Sequence, residues 1–143
     1  MVELTYFPIS TLPAPYDIVW CRFPDHDSLG KPSLKPRPAL VRSVATVDGD
    51  KGEIQIVYGT SKLKMMQRRQ DFFITNQAEM DVCGLYRATR FDLDKVAWVP
   101  WTIEWFDILP DYNSPVIGHL TAHSIKKLQT LVSYRQARLS SEA

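Results

Sequence analysis

The sequence predicts an α+β domain, mainly β: a small antiparallel barrel or sandwich followed by one C-terminal amphipathic helix. Three observations carry this. Short runs rich in β-branched and aromatic residues recur between Tyr16 and Val99, separated by Pro, Gly and Asp-Gly turn signals. From Thr121 onward, Ile, Leu and Val instead repeat at helical spacing. The 143 residues, 45% hydrophobic and 23% charged, fit a single globular domain over residues 1–143, with enough apolar side chain to offset the entropy of ordering.

Residues 1–15 hold Pro8, Pro13 and Pro15, which remove backbone donors, so this stretch reads as an arm without regular structure. YDIVWCRF (16–23) is the first strand. Residues 24–36 contain Pro24, Pro32, Pro36 and Gly30 between two strand-like runs. They read as a long loop, and such loops in compact domains usually serve function. RPALVRSVAT (37–46) is the second strand. Asp48-Gly49 supplies the turn into the third, 52–59, where Ile54, Ile56 and Tyr58 alternate with Glu53, Gln55 and Val57. A polar, basic loop over 60–69 leads to a short strand at 71–75, and further strands are expected at 84–89 and 95–99. Thr121 is the expected N-cap of a helix over 121–138, with Ile125, Leu128, Leu131, Val132 and Leu139 on its apolar stripe. Trp98, Trp101, Trp105 and Phe106 sit among Val96, Val99 and Ile103, which reads as core or a dimer interface.

Several function classes are not supported. The apolar run around 96–101 is far shorter than the roughly 20 residues that cross a bilayer. With no secretory signal pattern, a cytoplasmic protein is expected. Cys21 and Cys83 lie far apart, and with His26, His119 and His123 they do not complete a zinc-ligand spacing; two buried, reduced thiols are expected. His119 and His123, at i and i+4, read as surface or capping imidazoles. GxSxG, HExxH, GxxxxGK[ST] and GxGxxG are all missing, and no metal or cofactor is expected.

Charge is uneven. Residues 31–69 carry nine basic and three acidic side chains, a local excess of six in a chain whose net charge is +1. Attraction of phosphate depends on local rather than total charge. Within this stretch Arg37 opens the second strand, followed by Pro38, and Thr60 and Ser61 lie just past Gly59 at the end of the third. Pairing about the Asp48-Gly49 turn sets Arg37 near Thr60 at one end of the sheet. A guanidinium fork and a hydroxyl together match phosphate oxygens. On RNA such a pair acts without a protein nucleophile, because the ribose 2′-OH itself attacks the adjacent phosphorus.

YDIVWCRFP, a loop, RPALV, a polar turn and a strand ending VYGTS together resemble the MazF/PemK family of toxin–antitoxin toxins over residues 16–61. RATRFDLDKVAWVPW and SPVIGHL resemble that family's later block more loosely. The resemblance implies an SH3-like (CcdB/PemK-like) barrel with a C-terminal helix, usually a homodimer. It also implies a metal-independent, sequence-selective endoribonuclease that cuts single-stranded mRNA to a 2′,3′-cyclic phosphate, and a cognate antitoxin partner whose tail covers the RNA groove. The family's catalytic Arg falls on Arg37 and its strand-end Thr on Thr60. Tyr16 stands where that family's first strand often opens on Gly, and Pro32 where many members carry a loop Glu. An acidic residue that some members use near the start of the later strand matches either Asp92 or Asp94, and His26 or Asp25 of the long loop stands in as general base, His26 being suited by its pKa. RNA contacts are expected from Lys35, Ser61, Lys62, Lys64, Arg68 and Arg69, with Tyr58 and Phe72 as stacking rings. Two alternatives are a catalytically silent fold of the same kind that binds nucleic acid or a protein, and a gyrase poison acting through the last helix.

Overall fold

The structure, a computed structural model, describes residues 3–24, 30–63 and 71–142. Period-two burial builds one antiparallel sheet with two apolar faces. Its strands are β1 (Asp17–Cys21), β2 (Arg37–Val47), β3 (Lys51–Thr60), β4 (Phe72–Ile74), β5 (Thr89–Pro100) and β6 (Val116–His119), in the order β4-β5-β3-β2-β1-β6. One face sends Ile18, Leu40, Val57 and Phe91 into a core with Met80 and Cys83 of helix α1 (Gln77–Cys83) and Leu128 of helix α2 (Ala122–Glu142). The other sends Val19, Ala39, Val41, Ile54 and Ile56 against Trp101, Trp105 and Phe106.

The proline-rich start is the expected arm with little regular structure, and it packs on the sheet. After a single 3-10 turn at Ile9–Thr11, it lies on the second face, where Phe7 N–H donates to Trp101 O at 2.9 Å and the Trp101 indole donates to Thr11 Oγ1 at 3.1 Å. The β2–β3 hairpin turns as expected: Val47 pairs with Lys51 around Asp48 (φ 55°) and Gly49 (φ 79°).

The sheet does not close into the expected barrel. Among the described residues no ladder joins β4 to β6, and both edges are short, three and four residues. The place of a closing ladder is taken by α1, which follows β4 and lies on β6. Its contact with β6 is so close that a Cβ on Gly118 would come within 2.2 Å of the Cys83 carbonyl carbon. Helix α1 was not expected. Asn76 caps it by accepting from Ala78 and Glu79 N–H, and Gly84 ends it in the left-handed region at φ 73°. Residues 84–88 are accordingly a loop rather than a strand, and the expected strand at 95–99 is the interior of the long β5.

Thr121 caps α2 as expected, accepting from Ser124 N–H at 3.0 Å, and the helix runs past Arg138 to Glu142. Its stripe departs from expectation at Leu139, which is exposed, because the last turns stand off from the sheet across a groove of about 530 Å³. Of the aromatic set expected in the core or a dimer interface, Trp101, Trp105 and Phe106 are buried in the core, whereas Trp98 is 52% exposed. Among the described residues no helix is long and apolar enough to cross a membrane.

Candidate functional site

Arg37 and Thr60 meet because two strands begin and end at the same level. Ala39 pairs with Tyr58, and continuing that register by two residues sets Arg37 opposite Thr60. Pro38 confines Arg37 to extended backbone. Gly59 makes the approach possible: a Cβ there would stand 2.5 Å from Pro38 O and 2.9 Å from the Phe91 ring. On its other side Thr60 pairs with Arg90 of β5.

Arg90 secures the exit of β3. Its guanidinium is buried, donating from Nη1 to Asp71 Oδ2 at 2.7 Å and from Nε to Lys62 O at 3.2 Å. Both ends of the 62–71 connection are thereby tied to β5. The Lys62 N–H also donates to Thr60 Oγ1 at 3.1 Å, which fixes the hydroxyl oxygen and leaves its proton to donate elsewhere.

Arg37, Pro38, Gly59 and Thr60 form part of the wall of a pocket of about 190 Å³. Lys35, Arg37 and Arg87 give it three cations; Thr60, Ser61 and Thr89 give it hydroxyls; Trp20, Leu85 and Ile117 give it an apolar side. No carboxylate stands among its described lining residues. Thr60 is only 3% exposed, but it forms part of the pocket wall. Among the described residues the Arg37 guanidinium has no hydrogen-bond or ion-pair partner. Arg22, by contrast, is spent on structure. It forks onto Asp107 at 2.9 Å through Nε and Nη2 and donates to Ser33 O and Leu34 O, holding the chain just before Lys35. A free guanidinium among cations and hydroxyls is chemically an oxyanion site.

The sequence-predicted residues divide accordingly. Arg37, Thr60, Lys35 and Ser61 line the pocket, and Lys62 is exposed beside it. Tyr58 does not line it; it packs edge-on against Phe23 at 5.3 Å, with Lys95 Nζ 3.9 Å from its ring centre. Phe72 is no stacking surface, since it is buried against Phe91. His26, Asp25, Lys64, Arg68 and Arg69 lie outside the described residues. His119 and His123 are exposed. Cys21 and Cys83 are buried thiols; burial pushes Cys21 well up and Cys83 to about 11, so neither is a nucleophile in the folded chain.

Sequence reasoning missed Tyr86 and Arg87 of the α1–β5 loop and Thr89 at the start of β5, which complete the pocket. The missed signal was local: Asn76, Glu79 three residues on and Gly84 outline a short capped helix whose end aims Tyr86 and Arg87 at the pocket.

The chain matches no protein-family model and no curated protein.

Proposed function

We propose that this chain is an endoribonuclease of the MazF/PemK type, the toxin of a toxin–antitoxin pair, cutting single-stranded mRNA in the cytoplasm without a metal. The observation that carries the proposal is the convergence of Arg37 and Thr60, with Lys35 and Arg87, on one pocket whose described lining holds no carboxylate. In fold terms, the open sheet is then a divergent form of the family's SH3-like barrel. The partners are single-stranded RNA, a cognate antitoxin and a second copy of the chain.

In this mechanism the ribose 2′-oxygen forms a bond to phosphorus as the bond to the 5′-oxygen breaks. The leaving 5′-oxygen takes a proton from water, so the products are a 2′,3′-cyclic phosphate and a 5′-hydroxyl. Arg37 holds the non-bridging oxygens and stabilises the charge that builds on them. Thr60, its oxygen fixed by Lys62 N–H, donates its proton to the same phosphate. Lys35, Ser61, Lys62, Lys64, Arg68 and Arg69 hold the strand, and His26 takes the 2′-OH proton. The test is cleavage of single-stranded RNA in the presence of a chelator by the wild type and by Arg37→Ala. Cutting that is lost in the variant while the fold persists supports the proposal; retained cutting removes Arg37 from it.

A binding-only reading is favoured by one observation: the described pocket lining offers neither imidazole nor carboxylate as proton acceptor. RNA left intact after long incubation, but bound in a salt-sensitive way, would establish it.

A further inference from the structure

The phosphate chemistry leaves one prominent feature of the pocket unused. Tyr86 lines the same pocket as Arg37 and Thr60, yet it is 75% exposed. It does not hang on a loose tip. Gly84 closes α1 in the left-handed region, Leu85 N–H donates to Met80 O at 2.9 Å, and the Leu85 side chain is buried in the core. With Leu85 anchored inward, the next side chain is presented outward. Arg87 lies beside it, its guanidinium 5.6 Å from the Tyr86 ring centre. Such an exposed ring gains nothing from burial in this chain, whereas a ring beside a cation, at the mouth of a cationic pocket, is what a single-stranded nucleic acid needs.

We infer that Tyr86 is the platform on which an unpaired base of the RNA stacks, beside the phosphate held by Arg37 and Thr60. Arg87 supports the ring by cation–π contact and the adjoining phosphate by charge. This rests on the reading of the pocket as a phosphodiester site. The chemistry also explains a preference for single strands: the bases of a duplex have no free face to offer. Stacking on tyrosine tolerates every base, so Tyr86 supplies affinity and strand selection rather than sequence selectivity.

The test is equilibrium binding of the full chain to a 2′-fluoro single-stranded oligoribonucleotide, which cannot cut itself, and to its duplex. Tyr86→Ala, Tyr86→Phe and Lys35→Ala are compared over a range of salt. Tyr86→Ala is expected to bind the single strand about tenfold more weakly at every salt concentration, with the salt slope unchanged. Tyr86→Phe keeps wild-type affinity, Lys35→Ala flattens the slope, and duplex binding is indifferent to Tyr86. Wild-type affinity in Tyr86→Ala, or a flattened slope in that variant, overturns the stacking role alone. A wild-type chain that binds no single strand overturns the phosphodiester reading, and Tyr86's role with it. The substitution is at an exposed position, so loss of fold does not confuse the result.

Discussion

Gly59→Ala tests whether strand approach sets the spacing of the candidate site. The added Cβ would stand 2.5 Å from the Pro38 carbonyl oxygen, about 0.9 Å short of the 3.4 Å at which ordinary contact begins. The Phe91 ring, at 2.9 Å, has little room because it is fully buried in the core. The oxygen belongs to the backbone of β2, so relief requires β2 and β3 to part by most of that distance just where Arg37 faces Thr60. Overpacking of this kind costs about 1–3 kcal/mol. A displacement approaching 1 Å between groups that grip one phosphate costs up to about 100-fold in rate. Urea unfolding gives the first quantity, and RNA cleavage measured well below the unfolding transition gives the second. An alanine variant with wild-type midpoint and wild-type cleavage would refute the reasoning, because the close approach of the two strands would then not position the pair.

Three further outcomes follow from the same structure. Arg90→Met leaves the Asp71 carboxylate, whose side chain is fully buried, without its guanidinium and lowers stability by about 3–5 kcal/mol. Arg90→Met with Asp71→Asn loses clearly less, as a double-mutant cycle in urea will show. Glu79 accepts from the Ser124 and Thr121 hydroxyls and so joins α1 to α2; the Ser124 bond above all, then Thr121, Lys127 and His123, outweigh burial and hold its carboxyl below the usual range. Its folded pKa being the lower, its stabilisation is present above the ordinary glutamate value of about 4 and disappears as pH falls through the folded value. Thermal melts from pH 6 down to pH 3 should therefore show a shallower decline for Glu79→Gln than for the wild type. Cys21 and Cys83 should resist a thiol reagent at neutral pH until the chain unfolds, and fast labelling of the native protein would contradict their burial.

Much of this architecture is legible in the residues. The β2–β3 hairpin is fixed by alternation on either side of Asp48-Gly49, and α2 begins where Thr121 offers a cap. The pairing of Arg37 with Thr60 follows from hairpin arithmetic alone. What was not legible depends on tertiary contact. Helix α1 is seven residues long, so its caps are its only local signal, and it was hidden between strand-like neighbours. At the open edge of the sheet α1 seats on β6 so closely that neither Gly84 nor Gly118 has room for a Cβ, a contact no periodicity reports. Tyr58 and Phe72 are equivalent rings beside a basic loop in the sequence, yet they pack in different cores. Tyr86 and Arg87 reach the pocket only because a helix end aims them there.

The most direct measurement replaces a single ribose hydroxyl. After the cut position is mapped in a single-stranded RNA, the same oligonucleotide is made with 2′-deoxyribose on the 3′-phosphate side of that position and incubated with the chain and a chelator. Cleavage of the all-ribose strand to a 2′,3′-cyclic phosphate, with the substituted position left whole, is the predicted result. Scission at the substituted position would contradict attack by the sugar's own oxygen at the Arg37–Thr60 pocket.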